Sequence, residues 1–267
     1  MSEPTQPRRS IIVSVDMERY SPRNNLGQYR AQQLFRDVMN EAVTGIGLDR
    51  RSWTTQQSGD GELAILPADT SEPTIVADLV PALDRILREL NSRLLPEAKV
   101  RLRVAIHQGL VHMTGANGYP SEAIVEACRL LDADVLRQAL TAFPRASVAL
   151  IVSRSIFHDV VRHGYRGLRP ERFAQVTVQV KQLAADAWIF VPDEDANSVT
   201  WDQPPAADQR SASESHPPTA PRPVAATSPE AATYRISEVT THGPAVFGPG
   251  GTAIGTVNGP WHGRADR

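Results

Sequence analysis

Hydrophobic and polar positions change their period along the first 190 residues, and these changes mark alternating strands and helices. Ile11–Val15 is a continuous run that is apolar except for Ser14, typical of a strand covered on both faces. Apolar residues then recur at three- and four-residue spacings over 29–46, which predicts an amphipathic helix. Short β-prone runs flank Ser-Gly-Asp-Gly at 58–61, which indicates a hairpin. A second helical pattern covers 73–95, where Pro81 should kink the helix or mark its first turn.

The second half of this region continues the alternation. It predicts a strand at 100–108 that continues past Gly109, a helix at 121–140, a strand at 147–152, a helix at 155–163, and strands at 176–180 and 187–191. The order β-α-β-β-α-β predicts an α+β fold with a ferredoxin-like core, an antiparallel sheet and helices packed on one face. In that topology the first strand is central and pairs antiparallel with the third. Asp16, at the end of the first strand, should therefore lie beside Asp60 in the turn before the third.

Composition divides the chain into four segments. We predict an N-terminal extension at 1–9, a globular domain at 10–192, a disordered linker at 193–230 and a Gly-rich tail at 231–267. The linker is rich in Pro, Ala and Ser, and it has too few large apolar side chains to offset the entropy of ordering. The tail carries short uncharged β-prone pieces between glycines and resembles amyloid-like motifs that link signalling proteins to effectors. The alternative is a disordered tail with scattered apolar residues.

Charge and cysteine content exclude several classes of protein. The 267 residues carry a formal net charge of −2, which gives no general electrostatic reason to bind nucleic acid or an anionic membrane. The one cysteine, Cys128, cannot form a disulfide within the chain, and we expect it to pack as a small hydrophobic residue. The sequence has no apolar run of membrane-spanning length. We therefore expect a soluble, cytoplasmic protein.

The convergence of Asp16 and Asp60 is the main chemical signal that the residues carry by themselves. Two carboxylates a few ångströms apart repel each other unless a cation lies between them. A hard divalent ion such as Mg²⁺ meets this need, because one or two carboxylates with phosphate oxygens and waters complete its coordination. The alternative is that Asp16 only ends a strand and Asp60 only makes a turn.

Four stretches resemble, in order, the catalytic domain of class III adenylyl/guanylyl cyclases. They read VSVDMERYS at 13–21, SGDG at 58–61, RVAIHQG at 103–109 and AIVEACRL at 123–130. The resemblance covers about 10–192 and implies the same ferredoxin-like fold. It also implies conversion of a nucleoside triphosphate to a 3′,5′-cyclic nucleotide and pyrophosphate in a homodimer with two Mg²⁺ or Mn²⁺ ions.

The same resemblance implies roles for residues at the end of the first strand and in the hairpin. Asp16 and Asp60 match the two metal-binding aspartates, and the carbonyl of Met17 would help to hold one ion. The following loop, which includes Tyr20 and Ser21, would hold phosphate through its backbone amides.

Further roles fall on residues elsewhere in the domain. Arg103 matches an arginine that contacts the terminal phosphates, and Arg129 matches one that stabilises the transition state from the partner subunit. Lys181 lies where a phosphate-binding lysine often occurs, and Gln56 lies at the base-selecting position. The alternatives are an exposed strand residue, a helix-surface charge and an edge-strand lysine for Arg103, Arg129 and Lys181. His107 matches a structural histidine and should be a satisfied core residue.

Departures from the family pattern leave the function open. Val125 occupies the position of the transition-state asparagine and cannot donate a hydrogen bond, and Arg19 replaces a glycine before Tyr20. Gln56 both donates and accepts, so adenine, guanine or a pyrimidine remains possible. The first hypothesis is a divergent nucleotidyl cyclase in signalling. The alternatives are a catalytically weak nucleotide-binding adaptor whose C-terminal tail recruits an effector protein, and a pure scaffold.

Overall fold

A seven-stranded sheet organises residues 6–202, the part of the chain that the structure, a computed structural model, describes. The strands are β1 (Arg8–Met17), β2 (Thr54–Gln57), β3 (Gly61–Ile65), β4 (Leu102–Val111), β5 (Val148–Ser153), β6 (Ala174–Val180) and β7 (Leu183–Phe190). Their order across the sheet is β2-β3-β1-β4-β5-β7-β6, and only the β4–β5 pair is parallel. The predicted α+β fold with a mainly antiparallel sheet is confirmed.

Helices connect these strands. They are α1 (Asn25–Gly45), α2 (Glu72–Thr74), α3 (Val80–Asn91), α4 (Glu122–Leu131), α5 (Asp134–Ala142) and α6 (Arg154–Asp159), with a π turn at Ile75–Leu79. Short 3₁₀ turns lie at Arg50–Ser52, Pro96–Ala98, Val161–His163, Tyr165–Gly167, Pro170–Arg172 and Ala196–Ser198. The π turn immediately precedes the helix that has Pro81 in its first turn, so the proline falls where a missing N–H is tolerated.

Helices cover both faces of the sheet, so the expectation of one covered face is wrong. Ile11 and Val13 of β1 pack on one face in a cluster that includes Phe35 of α1 and Leu83 of α3. The opposite face carries α4 and α5, where Ile12 of β1 packs in a cluster with two alanines of α4. The physical reason is that β1 has apolar residues at adjacent positions, Ile11, Ile12 and Val13, and alternate side chains of a strand point to opposite faces, so both faces need cover.

The helical pattern at 121–140 forms two helices, not one. Asp132 ends α4, and Ala133 takes an extended conformation with φ −63° and ψ 134° before α5 begins. Arg137 donates from its side chain to the carbonyl of Asp132 and to the carboxylate of Asp134. These side-chain bonds satisfy polar groups that a continuous helix would satisfy internally, so the apolar period alone does not reveal the break.

The domain continues past the predicted boundary at residue 192. Ala196 and Trp201 are buried in the core cluster beneath α4 and α5, at 0% and 9% exposure. The first ten residues of the predicted linker therefore complete the core, because the indole of Trp201 supplies an apolar surface that composition averages hide. The rest of the linker and the tail at 231–267 lie outside the described residues. Within 6–202, no helix has the length and apolar character needed to cross a membrane.

Candidate functional site

The end of β1 and the β2–β3 turn meet as the topology predicted. Asp16 pairs in register with Gly61, and the N–H of Met17 donates to the carbonyl of Asp60 over 2.8 Å. A β-carbon at Gly61 would lie 2.0 Å from the carbonyl oxygen of Val15, closer than any real contact allows. Glycine at position 61 therefore permits the backbone approach that sets Asp16 beside Asp60.

Arg103 holds the carboxylate of Asp16 from the other neighbouring strand. The two residues are partners in the β1–β4 register. The Nε of Arg103 donates to Oδ1 of Asp16 over 2.9 Å, and a terminal guanidinium nitrogen donates to Oδ2 over 2.6 Å. Both side chains are largely buried, at 13% and 14% exposure. Fork-on-fork pairs of this kind are among the strong hydrogen-bonded ion pairs in proteins.

The pKa of Asp16 rises from 3.8 to about 6, and burial is the largest cause. The charge and hydrogen bonds of Arg103 lower it, the nearby charge of Asp60 raises it, and the charge of Arg137 lowers it. The raising effects prevail. The end of β1 is therefore a place where a carboxylate is costly to ionise and where an additional cation would be stabilising.

The residues present fit a hard divalent ion as a minimal donor set. Among residues 6–202 no group of three or more His, Cys, Asp and Glu side chains is arranged to hold a metal. Asp16 and Asp60 supply two carboxylates, and the charge of Asp60 raises the pKa of Asp16. Mg²⁺ is commonly bound by one or two carboxylates together with phosphate oxygens and waters, which matches this donor set.

The loop after Asp16 is tied to the hairpin by a residue that the sequence did not single out. Nε2 of Gln32 in α1 donates to the hydroxyl of Tyr20 over 2.8 Å and to the carbonyl of Gly59 over 2.7 Å. Ser21 is exposed beyond this link. Arg19 adopts a left-handed backbone with φ 54°, the region that glycine occupies without strain. Arg19 therefore lies in a backbone conformation that favours glycine.

The remaining predicted site residues lie elsewhere. Arg129, near the end of α4, donates to Oε1 of Gln182 over 3.3 Å, which places it beside the β6–β7 turn that carries the exposed Lys181. Gln56 is exposed on the edge strand β2. Within residues 6–202, no hydrogen bond or ion pair joins Arg129, Lys181 or Gln56 to Asp16. Within one chain the candidate metal ligands and phosphate contacts therefore lie together, but Arg129, Lys181 and Gln56 do not reach Asp16.

His107 is buried as expected, but its Nδ1 has no hydrogen-bond partner among the described residues, so the prediction of a satisfied histidine is wrong. The carboxylate of Glu126 in α4 lies 3.6 Å from that nitrogen, beyond hydrogen-bonding distance. Burial and, to a smaller extent, the charge of Arg9 lower the pKa of His107 to about 4. The ring is therefore neutral at pH 7. Burial likewise raises the pKa of the Cys128 thiol, which keeps it protonated.

Two arginines beside the site escaped sequence reasoning. Arg137 acts on Asp16 from α5, and nothing in the sequence connects it to β1. Arg101 donates to the carboxylate of Glu18 and to three carbonyls, that of Leu140 in the last turn of α5 and those of Phe143 and Ala146 after the helix. A signal for Arg101 existed, because residues 101 and 103 share a face of one strand. Its alternation with Arg103 indicates two cations at the same end of the sheet.

Comparison with solved structures identifies this architecture. A crystal structure of an adenylate/guanylate cyclase/hydrolase from Silicibacter pomeroyi is 19% identical, with a TM-score of 0.50 over 70% of this chain and 99% of that chain. The guanylyl cyclase Cya2 is 16% identical, with a TM-score of 0.48 over 71% and 93% of the two chains. The guanylyl cyclase domain of the RhoGC fusion protein from Blastocladiella emersonii is 10% identical, with a TM-score of 0.46 over 71% and 98%.

The first of these structures shows that 70% of the chain has the fold of a class III cyclase-like domain, divergent in sequence. The resemblance carried by the four motifs is confirmed at the level of fold. No protein-family model matches the chain. No curated protein matches it either.

Proposed function

We propose that this chain is a nucleotidyl cyclase, which converts a nucleoside triphosphate to a 3′,5′-cyclic nucleotide and pyrophosphate as a signal. The observation that carries the proposal is the meeting of Asp16 and the Asp60 turn in a fold shared with an adenylate/guanylate cyclase/hydrolase. The pKa of Asp16, raised to about 6 mainly by burial, supports it, since such a carboxylate gains stability from an added cation.

The residues of the site have two kinds of role, binding of metal and phosphate and compensation of charge. Asp16 and Asp60, with the carbonyl of Met17, would hold two Mg²⁺ or Mn²⁺ ions, which when bound lower the pKa of the attacking hydroxyl and neutralise the triphosphate. The guanidinium of Arg103 has the planar fork that fits phosphate oxygens. The backbone of the loop with Tyr20 and Ser21 would receive phosphate, and the bonds from Gln32 fix that loop against the hairpin.

The roles of Arg129, Lys181 and Gln56 require a second copy of the chain. Arg129 and Lys181 lie at one end of α4 and the β6–β7 turn, and a homodimer would bring such a cationic end to the phosphates of its partner. Gln56 would meet the base through an amide that both donates and accepts, and which base it selects is left to the assay.

The test is product formation. We expect purified protein with Mn²⁺ or Mg²⁺ to form a cyclic nucleotide from at least one of the four ribonucleoside triphosphates, detected by liquid chromatography and mass spectrometry. Asp16→Ala and Asp60→Ala should each lower the rate by about 100-fold or more, as losses of central electrostatic groups do. Asp69→Ala removes an exposed aspartate and serves as the matched control. Activity that survives in either site variant would contradict the metal assignment.

A second candidate function is a nucleotide-binding adaptor with weak or no turnover, whose tail at 231–267 recruits an effector. The observation that favours it is Val125, which is 44% exposed at the position where a cyclase needs a hydrogen-bond donor. Binding of fluorescent nucleotide analogues without any cyclic product from the four triphosphates would favour this candidate. A pull-down with full-length protein and with a chain ending at residue 230 would then test the role of the tail.

A further inference from the structure

The strongest feature that the proposed function does not explain is that both oxygens of Asp16 already accept hydrogen bonds from the guanidinium of Arg103. Arg103 donates to Oδ1 over 2.9 Å and to Oδ2 over 2.6 Å. These are the oxygens that a divalent ion would need. The guanidinium therefore acts as an internal cation at the place where the metal is proposed to bind.

Breaking the ion pair between Arg103 and Asp16 costs free energy for both partners. The side chains of Arg103 and Asp16 are 13% and 14% exposed, so water does not readily replace the bonds they make with each other. Breaking a buried pair leaves an uncompensated charge, which is strongly unfavourable. A metal that takes Asp16 therefore needs a new anion for Arg103, and an anion that takes Arg103 needs a new cation for Asp16.

A phosphate-bearing ligand meets the first requirement. Guanidinium forks bind phosphate oxygens with the same two-bond geometry they use for carboxylates. A nucleotide with its divalent ion carries both replacement charges at once, whereas free metal or free phosphate carries only one.

We propose that Arg103 couples metal binding to phosphate binding by exchanging between Asp16 and the phosphate, so that each ligand alone binds weakly. This inference rests on the proposed function, because it takes Asp16 as a metal ligand. Until the ligand arrives, Arg103 neutralises Asp16.

The charges that face Asp16 supply matched controls. Arg137 lowers the pKa of Asp16 by its charge, but it bonds Asp132 and Asp134 and not Asp16. Asp60 acts on Asp16 by charge and has no bond to Arg103 among the described residues. Removing the charge of Arg137 or of Asp60 therefore changes the local charge by one elementary unit, while the ion pair between Arg103 and Asp16 stays intact.

The metal arm measures Mn²⁺ binding by electron paramagnetic resonance without nucleotide. Arg103→Met should bind Mn²⁺ about tenfold more tightly than Arg137→Met, because only the former frees both oxygens of Asp16, and losing charge-assisted hydrogen bonds is worth roughly that factor. Equal affinities in the two variants would overturn the proposal. Circular dichroism melts of both variants establish that they are folded at the assay temperature.

The phosphate arm needs no metal and uses inorganic tripolyphosphate in EDTA, with binding measured by calorimetry. Asp16→Asn frees Arg103 and should bind tripolyphosphate about tenfold more tightly than Asp60→Asn, which removes the same charge but leaves the pair intact. Equal binding would overturn the proposal. If this arm succeeds while no form of the protein binds Mn²⁺, Arg103 can change its partner but couples no metal to it, so the coupling and the two-metal function both fail. If cyclase activity is found while both arms give equal affinities, the function stands and the coupling fails.

Discussion

Adding a single methyl group at Gly61 should separate Asp16 from the turn that carries Asp60. Gly61→Ala would set a β-carbon 2.0 Å from the carbonyl oxygen of Val15 and 2.8 Å from the α-carbon of Asp16. Both are backbone atoms of the central strand, so no side-chain rotation relieves the clash, and β1 and β3 must separate. At Gly59, two residues earlier in the same turn, the nearest atom to an added β-carbon is a ring carbon of Tyr20 at 3.9 Å, an ordinary contact.

The two substitutions therefore add the same atom to one hairpin with different consequences. Overpacking in a tight core costs about 1–3 kcal/mol, and a clash with fixed backbone places Gly61→Ala at the upper end, about 3 kcal/mol. For a domain of this size that loss lowers the melting temperature by about 6–12 °C. Gly59→Ala should melt close to the natural protein.

Thermal unfolding followed by circular dichroism measures both variants. A second readout is Mn²⁺ binding with nucleotide, which Gly61→Ala should lose even at temperatures where it is folded, because Asp16 and Asp60 no longer approach. A Gly61→Ala protein that melts within about 2 °C of Gly59→Ala, or that keeps its metal affinity, would refute the reasoning that the backbone contact at position 61 builds the site.

Three further predictions use the same kinds of measurement. Gly109→Ala would place a β-carbon 2.5 Å from one in α4 and should lower the melting temperature by several degrees, whereas Gly45→Ala meets no atom within 4 Å and should not; equal melts would contradict the packing. The pKa of His107, lowered mainly by burial to about 4, predicts that stability is lost as pH falls from 6.5 to 4, whereas the pKa of Asp16, raised to about 6, predicts that stability is lost as pH rises from 3.8 to 6. In urea unfolding with EDTA, each loss should be about 3 kcal/mol and should disappear in His107→Gln and Asp16→Asn respectively. Variant curves that run parallel to the curve of the natural protein would contradict this titration. Arg101→Met leaves three carbonyls and a carboxylate without their donor and should cost about 3 kcal/mol in urea unfolding, so a loss below about 1 kcal/mol would show that these bonds are exchanged for water.

Sequence reasoning succeeded for the fold because the fold depends on local periods. The apolar run of Ile11–Val15, the helical spacing over 29–46 and the Asp-Gly turn at 58–61 each specify an element by the positions of a few neighbours. Their order then limits the topology to few possibilities, so the register of Asp16 beside the hairpin followed. Sequence reasoning failed where the backbone broke without a change in the apolar period, as at Ala133 between α4 and α5.

By itself, the sequence determined the elements, their order and the approach of Asp16 to the Asp60 turn, because these follow from periodicity and chain connectivity. Only the tertiary structure decided what each charged group touches: that Arg103 holds both oxygens of Asp16, that Arg137 adds its charge from α5, and that Nδ1 of His107 has no partner within the described residues. Such pairings depend on which side chains from distant elements share one buried volume, and the energy of a charge depends on that volume more than on its sequence neighbours.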